Sequence, residues 1–174
     1  MNTRLSQQAV VNLFRGADTD RSGQIDHREL QRALSNGVGT PFNENTVRLM
    51  MSMFDRDYSG TIELNEFVQL VDYVQQWRAC FQRFDRDNSG TIDARELQTA
   101  LRSFGYSLSS NFIHLMVNRF DRTHRGVVAF DDFIHMCVSL QQLTNAFRPY
   151  DIRGNGWAQM NFEQFLTAAF SVIV

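Results

Sequence analysis

Apolar positions along this chain fall into helix-period runs separated by short polar gaps that contain glycine. From Phe67 to Phe84 the apolar positions are Phe67, Leu70, Val71, Val74, Trp77, Phe81 and Phe84. They keep helical spacing throughout, which predicts one uninterrupted helix. The stretch from Phe133 to Tyr150 reads the same way, with Pro149 expected to distort its last turn because proline cannot donate to the helix ladder. Two other joins contain breakers, Ser35-Asn36-Gly37-Val38-Gly39-Thr40-Pro41 and Gly105-Tyr106-Ser107, and read as turns between helices. After the first, Asn43 is placed to cap a helix, with Phe42 and Val47 spaced for a hydrophobic staple. Ile25, Ile62 and Ile92 each follow a gap glycine by two residues, where a β-branched side chain suits a short, half-buried extended segment. Phe165 to Val174 is apolar enough to be unusual as an exposed terminus.

The gaps carry the chemistry. Three twelve-residue loops, Asp18–Glu29, Asp55–Glu66 and Asp85–Glu96, repeat one oxygen-rich pattern. Aspartates stand at positions one and three (Asp18 and Asp20, Asp55 and Asp57, Asp85 and Asp87), and Ser22, Ser59 or Ser89 at position five. Gly23, Gly60 or Gly90 turns the chain at position six, and Gln24, Thr61 or Thr91 at position seven lends a backbone carbonyl. Position nine (Asp26, Glu63, Asp93) can hold a ligating water, and Glu29, Glu66 or Glu96 at position twelve can give both carboxylate oxygens. This is the EF-hand pattern, and a Ca²⁺ ion, which takes six to eight oxygens, explains each choice. Acidic surface turns would also favour Asp, Ser and Gly, but not a glutamate at a fixed distance in all three copies.

Two weaker copies follow. In the loop from Asp121 to Asp132 the ligand positions hold Thr123, Arg125 and Ala129, and Asp132 is one methylene short of a glutamate. This loop is expected to be metal-free, with Val128 still able to pair with Ile92. In the loop from Asp151 to Phe162, Arg153 takes position three and Phe162 position twelve; Asn155 remains a possible ligand, and Glu163 falls one residue late. A weak Mg²⁺ or Ca²⁺ site is conceivable there, and silence is the expectation. The fold class is therefore all-α: five EF-hand helix-loop-helix units with short paired loop strands, read as one domain over 1–174. Helices are shared between hands two and three and between hands four and five. Loop one pairs with two and three with four, since each short strand needs a backbone partner. The fifth hand is left over, and a second copy of the chain across a two-fold axis is the economical partner; packing of the last helix into its own core is the alternative.

Composition narrows the function classes. Net charge is −2, with acidic residues gathered in the loops, which gives no reason to expect nucleic acid. Cys80 and Cys137 are the only cysteines, both on apolar helical patterns, and read as buried thiols of a reducing, cytoplasmic compartment. No leading apolar stretch resembles a signal peptide. Met1 stands a few turns before the first loop, so loss of an upstream segment stays open. A thiol–imidazole pair from Cys80 or Cys137 with His114 or His135 is imaginable, but inert thiols are the expectation, and catalysis is not.

Five hands with this shared-helix spacing resemble the penta-EF-hand family, as do the stretches Phe84-Asp85-Arg86-Asp87-Asn88-Ser89-Gly90, Phe104-Gly105-Tyr106, Val128-Ala129-Phe130-Asp131-Asp132-Phe133-Ile134 and Gly156-Trp157. The resemblance covers essentially the whole chain. It implies a homodimer through the fifth hand, or a heterodimer with an enzyme. It also implies Ca²⁺-dependent exposure of an apolar pocket for proline-rich segments of membrane-trafficking or cell-death-linked partners, with any membrane association indirect or Ca²⁺-dependent. The pocket it implies involves Phe67, Val71 and Trp77 on the long helix with Phe104, Phe130 and Phe162. A passive Ca²⁺ buffer is the rival reading. A full second loop departs from the family pattern and implies one ion more than close relatives often bind.

Overall fold

The computed structural model describes residues 5–173; Met1 and Val174, which figured in the expectations above, lie outside them. The chain divides into two compact units, Met1–Ile134 and His135–Val174.

The first unit holds α1 (Gln7–Ala17), α2 (His27–Ala33), α3 (Glu44–Phe54), α4 (Leu64–Phe84), β1 (Thr91–Asp93), α5 (Ala94–Ser103), α6 (Ser110–Phe120), β2 (Val127–Ala129) and the start of α7 (Phe130–Phe147). The long shared helix is α4, continuous from loop two into loop three as its apolar spacing predicts. It packs against α1, α3 and α5. The Asn43 cap is present, its Oδ1 accepting from the backbone N–H groups of Asn45 at 2.9 Å and Thr46 at 3.4 Å. Phe42 and Val47 beside it are buried.

Loop strands pair as expected. Ile25 and Ile62 exchange two backbone hydrogen bonds of 2.9 Å as an isolated antiparallel bridge. β1 and β2 pair antiparallel with Ile92 opposite Val128. All four side chains are fully buried, each worth about 1.5–3 kcal/mol of apolar burial. A run of edge-on aromatic contacts then follows α4: Phe54 on Tyr73, Tyr73 on Trp77, Trp77 on Phe133, Phe133 on Phe81, Phe81 on Phe130 and Phe130 on Phe42, with ring centres 5.4–6.2 Å apart. Such pairs contribute about 0.5–1.5 kcal/mol each beyond area burial, so the rings stiffen the shared helix against its neighbours.

The second unit contains the rest of α7, a 3₁₀ turn (Arg148–Tyr150) and α8 (Phe162–Ile173). Pro149 tightens the final turn instead of continuing α7, which is the distortion expected of it. Trp157, Phe162, Phe165 and Phe170 of this unit are exposed.

Candidate metal centres

The same scaffold is built three times. In loop one Asp18 accepts from the backbone of Ser22 (Oδ1, 3.0 Å) and Gly23 (Oδ2, 3.0 Å), and Asp20 Oδ1 accepts from Ser22 at 3.0 Å. Asp55 and Asp57 do this with Ser59 and Gly60, and Asp85 and Asp87 with Ser89 and Gly90, at 2.9–3.1 Å. The position-six glycines that allow the turn sit at φ 83°, 79° and 78°, a region closed to most side chains. The serine hydroxyl at position five donates to the carbonyl of position seven in each loop.

Position twelve is a strut. Glu29 Oε1 accepts from Thr19 at the start of its loop (N, 2.8 Å; Oγ1, 2.7 Å), while Oε2 accepts from the Asp26 backbone at 3.1 Å. Glu66 links Arg56 and Glu63, and Glu96 links Arg86 and Asp93, at 2.8 and 3.0 Å. Each of these glutamates is the third residue of its exiting helix, so a capping box and the cation cage share one side chain. Carboxylate oxygens of Asp18, Asp20 and Glu29, of Asp55, Asp57 and Glu66, and of Asp85, Asp87 and Glu96 lie within 4.8 Å of one another. Three converging carboxylates with a serine and a backbone carbonyl form a hard-oxygen donor set that fits Ca²⁺.

Hydrogen bonding lowers four of these carboxyls. Side-chain and backbone donors from Ser22, Ser59 and Ser89 hold Asp20, Asp57 and Asp87 below the usual carboxylate range. Burial raises Glu29, but donors from Thr19 and Asp26 outweigh it and hold it low.

Loop four keeps the frame and loses the cage. Asp121 accepts from Thr123 (N, 2.8 Å; Oγ1, 2.7 Å) and from Gly126 N at 2.6 Å. At position twelve, Asp132 Oδ2 accepts from Arg122 Nε at 2.7 Å and Oδ1 from Asn43 Nδ2 at 2.6 Å. Its buried neighbour Asp131 takes the Arg122 Nη2 donor and the Asn43 backbone N–H, the latter at 2.6 Å. Burial pushes the Asp132 carboxyl up, against the pull of Arg122 and Asn43. The loop thus contains its own cation, at position two, where the sequence had drawn attention to Arg125.

In loop five Asp151 still binds the backbone of Asn155 (3.0 Å) and Gly156 (2.8 Å). The exiting helix, however, starts at position twelve, whereas α2, α4, α5 and α7 start at position ten. Its capping pair is Asn161 with Gln164, each accepting from the other's backbone at 2.9 Å. Phe162 is 74% exposed, and the carboxylate groups that converge among the described residues are those of the first three loops.

Two features escaped the sequence reading. Position four of loops one to four is left-handed, at Arg21, Tyr58, Asn88 and His124 (φ 54–60°); arginine and tyrosine give no hint of this. Thr61 Oγ1 donates to Gln24 Oε1 at 2.8 Å, joining the position-seven side chains of loops one and two.

The residues of the implied peptide pocket do not share one environment. Phe67 and Phe130 are buried in the core, Phe67 edge-on to Phe14 and Phe130 to Phe81. Val71 and Trp77 are half-buried, and Phe104 is 40% exposed with its ring edge-on to Phe84. Cys137 is buried as expected, but Cys80 is only half-buried; partial burial still raises its thiol, slightly offset by Arg83. No described helix is long and apolar enough to cross a membrane.

A family profile described as an EF-hand domain pair matches residues 7–71 and 74–138. A sorcin of Schistosoma japonicum is 58% identical over 170 residues, covering 98% of this chain and 99% of its own length. Human sorcin is 42% identical over 96% of this chain and 85% of its own. Human peflin is 42% identical over 91% of this chain. This chain spans only a little over half the length of the peflins, 56% in the human case. A solved structure of a homologue of programmed cell death 6 protein from Leishmania major Friedlin superposes with a TM-score of 0.83 at 32% identity, covering 95% of each chain. The stretches from Phe84, Phe104, Val128 and Gly156 quoted above also resemble programmed cell death protein six, one of several family members this chain is similar to.

Proposed function

This chain belongs to the penta-EF-hand family, and from that premise we propose that it is a Ca²⁺-dependent adaptor: a sensor that offers an apolar groove to proline-rich partner segments when its loops fill. It is a calcium-binding EF-hand protein of the sorcin and peflin type; the ligands, groove and partners below are our assignment. The ion is held by Asp18, Asp20, Ser22, Gln24 and Glu29 in loop one. Asp55, Asp57, Ser59, Thr61 and Glu66 serve in loop two, and Asp85, Asp87, Ser89, Thr91 and Glu96 in loop three. Bound Ca²⁺ would supply two positive charges to each group of three carboxylates. Mg²⁺ is kept for any weaker site, and loop five is read as silent.

The observation that carries the reading is the strut at position twelve. Its two oxygens tie the start of the loop to the first turn of the exiting helix, so its carboxylate cannot recentre in the cage without turning that helix. Moving a two-state equilibrium from 1:99 to 99:1 takes about a 10⁴-fold difference in affinity, about 20-fold per site for three sites. Loops of this composition typically bind at roughly 10⁻⁷ to 10⁻⁵ M, a sensor's range. Val71, Trp77 and Phe104, already partly exposed, start the groove. Buried Phe67 and Phe130 join it only through rearrangement, whereas Phe162 is already exposed. Trp77 is suited to stacking on proline.

We place the protein in the cytoplasm, with Ca²⁺-dependent recruitment to membranes, and assign it no catalysis. Exposed Trp157, Phe162, Phe165 and Phe170 in the fifth hand support a homodimer. Fluorescence anisotropy of a labelled proline-rich peptide, with Ca²⁺ and with chelator, tests the adaptor. A Ca²⁺-dependent gain in affinity supports it. Ca²⁺ uptake with no gain for the peptide, and no new binding of an apolar dye, makes the protein a buffer.

A further inference from the structure

Between α2 and α3, beside the exit of loop one but without its cage carboxylates, a groove of about 570 Å³ is lined by His27, Arg28, Gln31, Arg32, Glu44 and Arg48. Its charge runs opposite to that of the chain. Three guanidiniums face one carboxylate, a local +2 (3 − 1) on a protein of net −2. Arg48 neutralises Glu44, donating to Oε1 from Nε at 3.0 Å and Nη2 at 2.7 Å, and the same Nη2 lies 3.1 Å from His27 Nε2. The Glu44 carboxyl is held low by this hydrogen bond and by the charges of Arg48, His27 and Arg28. The other two arginines are not consumed this way. Arg32 donates only Nε, to the Arg28 carbonyl at 3.1 Å, and its Nη groups and the Arg28 guanidinium make no side-chain hydrogen bond among the described residues. Both are exposed and sit four residues apart on one helical face.

We propose that this groove binds a phosphomonoester carried on a small polyol headgroup. A phosphomonoester bears about −1.5 to −2 charges near neutral pH, matching the local excess, and guanidinium forks pair with phosphate oxygens in bidentate fashion. The polyol follows from the acceptors. Gln31 donates Nε2 to the Phe42 carbonyl at 2.6 Å, which fixes the amide with Oε1 unused. Glu44 Oε2 likewise accepts no hydrogen bond among the described residues. These two acceptors cannot bind phosphate oxygens but can take sugar or inositol hydroxyls. The volume is that of a small-molecule site. A merely solvated arginine face would show neither the concavity nor the acceptors beside it.

The headgroup can come free in solution or on a lipid, and the test separates the two. Metal-free protein in chelator is titrated calorimetrically with inositol trisphosphate and with inorganic phosphate. Flotation follows with phosphatidylcholine vesicles, with and without phosphatidylinositol bisphosphate. The wild type is expected to bind inositol trisphosphate more tightly than phosphate, with affinity falling as salt rises. The double variant Arg28→Gln/Arg32→Gln, confirmed folded by circular dichroism, should lose about tenfold or more, the loss of two charge-assisted pairs. Capture by the bisphosphate vesicles alone, abolished by the same variant, would assign the lipid source. Equal affinity for phosphate and inositol trisphosphate overturns the polyol assignment. Failure of every probe to bind, or binding unchanged in the double variant, overturns the site. None of these readouts depends on Ca²⁺, so failure of the adaptor reading leaves the inference standing, and the reverse.

Discussion

At the scale of single residues, four carboxylates of the three cages are held below their ordinary range by donors that belong to the loops themselves. Hydrogen bonds lower Asp20, Asp57 and Asp87, and they outweigh burial at Glu29. The sign of the pH effect follows. Acids held low in the fold contribute stability that is fully present above the unfolded values, near 4 for Asp and Glu, and lost as pH falls through the lower folded ones. Asp132, raised by burial, opposes the trend. Thermal melts of the metal-free protein should therefore fall in Tm as pH is taken from about 5 toward 3; a rising Tm would contradict the balance. Arg122 is the other residue with a definite consequence. It is partly solvated, yet it is the cation that the buried carboxylates of Asp131 and Asp132 share. Arg122→Gln should cost about 3 kcal/mol, the lower end for stranding buried charge, because the guanidinium itself is screened. Urea unfolding checks this, and a loss near zero would mean the network contributes little.

At the scale of elements, the pattern of apolar positions was enough to place α4 as one helix through loops two and three, and to seat Ile25 against Ile62 and Ile92 against Val128. Those features depend on spacing within a few residues, where period and turn chemistry speak directly. The Arg122–Asp131–Asp132–Asn43 network was not legible, because Asn43 meets its partners from 88 and 89 residues away and pairing at that distance leaves no local period. The late start of α8 was hidden for another reason: Asn161 and Gln164 cap as well as Asp and Glu do, and only the register shows that the capping pair has slipped out of the cage. The convergence of three carboxylates in each of the first three loops was legible because the twelve-residue pattern fixes their spacing. The bond from Thr61 to Gln24 lies between these cases, since pairing of Ile25 with Ile62 brings their neighbours together. Thr61→Val keeps the side-chain shape and the ligating backbone carbonyl while removing that link. Ca²⁺ binding to loops one and two should then keep its stoichiometry and lose cooperativity, read as a lower Hill coefficient; unchanged cooperativity would assign coupling to the strand alone.

At the scale of the molecule, three hands carry full cages, one contains its own cation and one turns apolar side chains outward. Trp157 is 81% exposed, and Phe165 and Phe170 are more than half exposed on α8. A second copy of the chain is the partner we assign to that face. Light scattering coupled to size exclusion should give a dimer, and Phe165→Glu should shift it toward monomer by placing charge in an apolar interface. A monomer in the wild type across the whole concentration range measured would remove the dimer from the account.

The claim on which the rest depends is that the three position-twelve glutamates complete real Ca²⁺ sites. Isothermal titration of the metal-free protein with Ca²⁺, run beside the triple variant Glu29→Gln/Glu66→Gln/Glu96→Gln, addresses it directly. The account predicts three ions per wild-type chain in the range of roughly 10⁻⁷ to 10⁻⁵ M and none in that range for the variant. Absence of Ca²⁺ binding in the wild type, or a variant that binds as well, would contradict it.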